Sequence, residues 1–176
     1  IMNRRTFIGT LSTVALTGLT PLALPAGTAP AAQPTARRLP RWRGFNLTEK
    51  FVARKNGNPP FAESDFALLN EWGFDFARLP LSYLCWSSAE DPRQIREAEL
   101  GHLDQAVEYG RKHRVHVNLN LHRAPGYCVN PPKEPLDLWT DEAALDAAAF
   151  QWGMLARRFK GVANAELSFD LLNEPA

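Results

Sequence analysis

The chain has 176 residues, enough for one domain with its own core. Its hydrophobic share of 45% and charged share of 22% are ordinary for a globular protein. A formal net charge of +1 leaves no basic field to attract nucleic acid, and no acidic excess of the kind that keeps a chain disordered.

Residues 1–32 stand apart from the rest of the chain. They carry Arg4-Arg5, then a run from Phe7 to Leu24 in which Thr and Gly dilute the apolar residues, then small residues. That order reads as an export signal, with cleavage after Ala29-Pro30-Ala31 or at Ala26. The paired arginines followed by Thr6-Phe7-Ile8 resemble a twin-arginine signal, which exports proteins already folded. The alternative is an uncleaved membrane anchor, and the polar dilution argues against it. The expectation is an exported bacterial protein, periplasmic or extracellular, with no stable membrane association after cleavage. Residues 33–40 then read as a linker and 41–176 as the folded part.

Residues 42–48 are strand-like. Residues 64–73 place apolar side chains at 66, 68, 69 and 72, a helical spacing that ends on Gly73. A second strand covers 74–80 and stops at Pro80. Residues 98–113 put Leu100, Leu103, Ala106 and Val107 on one helical face. Residues 115–122 alternate strictly between apolar and polar, and a Pro- and Gly-rich loop runs from 123 to 139. Thr140 has the place of an N-cap for a helix over 141–159, with acidic residues in its first turn and Arg157, Arg158 and Lys160 at its end. Residues 165–173 form a fourth strand. Trp72 and Trp152 fall on helical faces and read as core.

Strands alternating with helices predict a parallel sheet, whose functional groups gather at the carboxyl ends of the strands. No Gly-x-Gly-x-x-Gly follows any strand, which removes the main support for a nucleotide-binding reading. In the third strand His116, Asn118, Asn120 and His122 share one face. A polar face on a central strand suits the inside of a barrel, not a strand covered on both sides. Arg78 lies near the end of the second strand, and Asn173-Glu174-Pro175 closes the fourth. Arg78, His122, Asn173 and Glu174 are therefore expected at one rim. Singly, each has a plainer reading: a solvated strand-end arginine, a hydrogen-bonded structural histidine, a common turn. Their joint occurrence at three successive strand ends is what points to a site.

The two cysteines, Cys85 and Cys128, fit either a disulfide or two free thiols, and both readings stay open. No Cys/His cluster has zinc spacing, and no metal or cofactor is expected.

The ordered set Gly44-Phe45-Asn46-Leu47, Arg78-Leu79-Pro80, His122 with Pro125-Gly126, and Asn173-Glu174-Pro175 resembles the cellulase-type glycoside hydrolases of family 5. The resemblance covers residues 41–176 and implies a (β/α)8 TIM barrel, present here as its first four βα units. It implies that Glu174 is the general acid/base of a retaining glycosidase and that Asn173 bonds the sugar 2-hydroxyl. It implies further that His122 contacts substrate or orders the site, that Arg78 supports the nucleophilic carboxylate, and that Asn46 meets substrate. Trp86 and Trp139, in the loops after strands two and three, are candidate sugar platforms or caps on the hydrophobic rim. The implied partner is a β-linked polysaccharide or oligosaccharide. The family's nucleophile follows a seventh strand, so the expectation is an inactive, poorly soluble piece of a longer enzyme. Thr48-Glu49-Lys50-Phe51 departs from the Gly-rich, Trp-containing sequence of many relatives. The competing readings are a noncatalytic carbohydrate-binding protein on the same scaffold, a metal-dependent barrel hydrolase using His116 and His122, an α/β fold with an unrelated ligand, and a half-barrel that dimerises.

Overall fold

The computed structural model describes residues 33–35 and 37–175. The expected export signal lies outside the described residues. In chain order the elements are β1 (Gly44–Asn46), α1 (Glu63–Glu71), β2 (Phe76–Ser82), α2 (Glu97–His113), β3 (His116–Arg123), α3 (Glu142–Arg158) and β4 (Leu167–Asp170). A single 3₁₀ turn, Tyr83–Cys85, follows β2. The four strands form one sheet in the order β1-β2-β3-β4, every pair parallel. This is the α/β repetition read from the sequence, and it matches the first four steps of a barrel.

The register sorts the side chains into layers. Gly44, Phe76 and His116 are level; so are Asn46, Arg78, Asn118 and Ser168; so are Pro80, Asn120 and Asp170. These form the inner, polar face. Ala77, Leu79, Leu81, Val117, Leu119, Leu121 and Leu167 point the other way and are buried. Phe66 and Leu69 of α1, Leu100, Leu103, Ala106 and Val107 of α2, and Leu155 of α3 join them in one hydrophobic core. Burial of each large apolar side chain contributes roughly 1.5–3 kcal/mol, so this outer face fixes the register and thereby the inner face.

Several expected boundaries move. Strand β2 runs through Pro80 to Ser82. Leu47 N donates to Arg78 O and Ser82 N to Lys50 O, so residues 78, 80 and 82 turn their backbone groups toward β1. Because β1 ends at Asn46, no ladder bond is asked of Pro80, and its ring breaks nothing. Helix α1 stops at Glu71, with Trp72 as its C-cap; Trp72 is 61% exposed, contrary to its reading as core. Trp152 is half-buried and packs on the core edge, its Nε1 donating to Leu171 O. The N-cap of α3 is Asp141, not Thr140, and its carboxylate accepts from Asp137 N at 2.7 Å. Strand β4 ends at Asp170, so Asn173 and Glu174 lie in the loop beyond it.

The amino-terminal end of the sheet is closed by aromatic rings. Trp42 stacks on His116 at 3.7 Å between centroids, and His116 stacks in turn on Phe76. His116 Nδ1 bonds the carbonyl of Ala165, which only accepts, so Nδ1 carries the proton. Nε2 is then an acceptor for the Ser168 hydroxyl, whose oxygen in turn accepts from Asn118 Nδ2. Burial holds the His116 pKa below the usual histidine value. The segment expected as a linker runs along this same end, where Asn164 Nδ2 donates to Pro34 O. No helix among the described residues is long and apolar enough to cross a membrane.

Candidate active site

At the opposite, carboxyl end of the sheet the polar residues converge as their strand positions require. Arg78 reaches across from β2. Its Nε and Nη2 both donate to Asp170 Oδ2, at 3.2 and 3.1 Å, and Nη2 also donates to Asn173 Oδ1 at 2.9 Å. Asn173 is buried, and its backbone N–H reaches Leu121 O on β3 at 3.4 Å. Its side-chain oxygen is taken by Arg78, while its Nδ2 is buried with no partner among the described residues. A buried amide donor left bare costs about 1–3 kcal/mol, so this atom marks a place where a ligand acceptor is stabilising.

Glu174 follows with a backbone φ of +47°, the left-handed region that few non-glycine residues adopt. Its side chain is exposed, and its backbone carbonyl accepts a hydrogen bond from the Tyr127 hydroxyl. Tyr127 belongs to a tight turn in which Ala124 and Tyr127 exchange two backbone bonds of 3.0 Å. Gly126 makes this turn possible: its φ is +79°, and a Cβ there would lie 2.6 Å from Ala144 Cβ and 2.8 Å from Leu138 N.

His122 joins the rim by an irregularity. The ladder pairs Leu81 with Leu121 and Ser82 with Arg123, so His122 is the extra residue of a β-bulge. The bulge breaks the expected strict alternation and re-aims the ring. His122 Nε2 lies 2.6 Å from Asn130 Oδ1, Phe51 meets the ring edge-on at 4.5 Å, and Nδ1 is buried without a partner among the described residues. A cleft of about 230 Å³ opens beside it, walled by Phe51, Val52, Leu84, Cys128 and Pro131. A cleft of about 340 Å³ near Glu90, Asp91 and Glu134 does not include Arg78, Asn173 or Glu174 in its lining.

The supporting shell was not legible from the motifs. Arg123, paired with Ser82 by the bulge, forms a buried ion pair with Glu134 at 2.5 Å and also holds the carbonyls of Asn130 and Pro132. Tyr83 donates to the other Glu134 oxygen, and burial together with that carboxylate keeps its phenol protonated. The loop after β1 is anchored by Lys50, which is fully buried. Its Nζ serves Asn58 O, Glu99 Oε2 and His102 Nδ1 at 3.3, 2.6 and 2.7 Å. Since Lys50 donates, His102 Nδ1 accepts, and burial and the Lys50 charge both lower the His102 pKa. Thus the segment 48–51 sets a buried lysine and the phenyl ring that rests on His122.

Two expected substrate contacts come out differently. Trp86 is wholly buried, its indole N–H bonded to Gln151 Oε1 at 2.8 Å, so it is a core residue and no sugar platform. Trp139 is 57% exposed, with Tyr127 edge-on to it at 5.8 Å. Asn46 is exposed at the end of β1, level with Arg78. Both cysteines are free; burial raises the Cys85 thiol to about 11. Among the described residues no group of three or more His, Cys, Asp and Glu side chains has metal-binding geometry. His116 and His122 are six residues apart on one strand, about 20 Å, which is too far for one ion.

Comparison with known proteins decides the family. Residues 30–176 match the cellulase family, glycosyl hydrolase family 5. The chain belongs to that family. Relatives of this family 5 chain include a probable glucan 1,3-beta-glucosidase A of Emericella nidulans, 30% identical over 134 residues, covering 72% of this chain and 32% of the relative. Endoglucanase C of Acetivibrio thermocellus is 30% identical over 112 residues, 64% of this chain and 32% of that protein. The crystal structure of a glycoside hydrolase superposes with a TM-score of 0.72 at 36% identity, over 75% of this chain and 41% of that one. The family 5 chain therefore spans about a third of the length of the curated relatives it matches.

Proposed function

We propose that the chain contributes the acid/base half of a retaining glycosidase acting on β-linked glucans, in a barrel of the relatives' length. The observation that carries this is the bare, buried Nδ2 of Asn173, fixed by Arg78 next to the exposed carboxyl of Glu174. In this reading Glu174 gives its proton to the glycosidic oxygen as a second carboxylate attacks the anomeric carbon. The C–O bond breaks and the leaving sugar departs as an alcohol. Water then attacks the same carbon, passes its proton to Glu174, and releases the enzyme carboxylate. Asn173 Nδ2 donates to the 2-hydroxyl of the sugar at the cleavage point, an interaction that strengthens as charge develops on the ring. His122, with its bare Nδ1, Asn46 at the end of β1 and Trp139 as an exposed ring beside Tyr127 contact the saccharide. Arg78 organises the floor by holding Asp170 and Asn173 together.

Retention demands two carboxyls about 5–5.5 Å apart. In this reading the second carboxyl follows a seventh strand, and the described sheet has four. Residues 1–32 direct export in this account, through a twin-arginine-like signal, and residues 41–176 supply the first four barrel units. The test is to incubate the protein expressed from its native gene with a soluble β-glucan and follow the reducing ends by proton NMR. Early accumulation of the β-anomer supports the proposal; absence of hydrolysis, or the α-anomer first, contradicts it.

A further inference from the structure

We propose that Tyr127 is a positioning residue for Glu174, holding the backbone of the acid/base in its left-handed conformation. The inference rests on the function proposed above and extends it to a residue outside the strand-end motif set.

The backbone at Glu174 is under restraint from both sides. A non-glycine residue at φ +47° is strained by about 1–3 kcal/mol and persists only where its surroundings over-determine it. On the amino-terminal side Asn173 is tied to Arg78 through its side chain and to Leu121 through its backbone. At Glu174 itself, the hydrogen bond found among the described residues is the one from Tyr127 to its carbonyl. That carbonyl belongs to the peptide plane whose direction is set by ψ of Glu174. The position of its oxygen depends on φ as well, so with Asn173 already held, anchoring that oxygen restrains φ and with it the direction in which Cβ leaves the backbone. Tyr127 is suited to the task because its own turn is tied down. The 124–127 turn is closed by two backbone bonds, Leu138 N is bonded to Gly126 O, Gly126 has no room for a side chain, and Trp139 packs against the phenol ring. The loop after β3 thereby reaches the loop after β4 and aims its carboxyl. An acid misplaced by about 1 Å loses up to 10²-fold in rate, so the bond acts on catalysis and not only on stability.

The experiment compares wild type, Tyr127→Phe and Glu174→Ala in the protein expressed from its native gene. kcat/KM is measured on a series of aryl β-glucosides and cello-oligosaccharides of differing leaving-group pKa. Removal of the hydroxyl is expected to lower kcat/KM roughly 10- to 100-fold for poor leaving groups, and only slightly for activated phenols that leave without a proton. Glu174→Ala is expected to show the same pattern, more severely. KM and thermal midpoint of Tyr127→Phe stay near wild type. A uniform loss across all leaving groups, or no loss, overturns the positioning role while leaving Glu174 as the acid. An inactive wild type, or an unaltered Glu174→Ala, overturns the proposed function and this inference with it. If Tyr127→Phe does not fold, a fluorotyrosine at 127 keeps the ring and alters only the donor. It must then shift the leaving-group dependence, and an unchanged slope overturns the role.

Discussion

Arg78 and Asp170 are joined across the inner face of the sheet, both Nε and Nη2 of the arginine falling on one carboxylate oxygen. Strand β3 separates the strands that carry them, so the contact crosses the sheet's inner face from the level of Asn118, beside Arg78, to that of Asn120, beside Asp170. Its second service is to Asn173, whose oxygen shares Nη2. The contact thus couples the fourth strand's end to the loop that presents Glu174.

Asp170→Asn is expected to loosen this coupling without breaking the fold. Asp170 is partly open to solvent, so the loss in stability is about 1 kcal/mol or less. The loss in kcat/KM is larger, because the arginine that holds Asn173 loses its own carboxylate anchor. Arg78→Lys, which cannot fork between two acceptors, is expected to match it. Urea denaturation and steady-state kinetics on the same samples separate the two effects; equal loss in both contradicts the assigned role.

Lys50→Met tests the loop after β1. The substitution leaves Glu99, His102 and the Asn58 carbonyl without their shared donor, and breaking a buried charged contact on one side costs about 3–5 kcal/mol. A large fall in the denaturation midpoint is expected, with partial recovery in Lys50→Met/Glu99→Leu. A midpoint unchanged by the single substitution shows that the amine contributes nothing to holding this loop.

Gly126→Ala is expected to destabilise by about 1–3 kcal/mol, since the new methyl meets Ala144 and the Leu138 backbone and the φ is unfavourable. Calorimetric midpoints of wild type and variant check this directly. Wild-type stability in the variant contradicts the geometry given to the 124–127 turn.

Stability is expected to fall as acid is added below the ordinary histidine value of 6.5. His116 and His102 are both depressed in the folded chain, His116 by burial and His102 by burial and the Lys50 charge. Above 6.5 both states are neutral and the contribution is fully present. Below it the unfolded chain binds protons that the native state resists, and stability is lost as pH falls through the folded values. Protonation of His116 Nε2 also turns an acceptor into a donor and disrupts the bond from Ser168. Urea midpoints measured at pH about 7.5 and about 5.5 should show the lower value in acid, with a shallower dependence for His116→Gln. A midpoint that rises on acidification contradicts the assignment.

The strand–helix alternation and the inner polar face were legible because the sheet's two faces have different solvents. Leu79, Leu119 and Leu121 meet helices, while Asn118 and Asn120 lie on the polar inner face. Arg78, His122, Asn173 and Glu174 could be placed at one end for the same reason. What was not legible depends on contacts distant in sequence. Pro80 sits inside β2 because β1 is short, which no property of residues 74–82 reveals. The bulge at His122, the burial of Lys50 and the burial of Trp86 against Gln151 likewise come from tertiary packing. Trp72 looks apolar in the helical pattern, yet α1 ends before it and leaves it outside.

The role of Glu174 as the acid/base is read from kcat/KM of Glu174→Gln against wild type, both expressed from the native gene, on a cello-oligosaccharide, with saccharide binding followed by calorimetry. A fall of about 10²–10⁴-fold with binding retained is the predicted result. Undiminished turnover would contradict it.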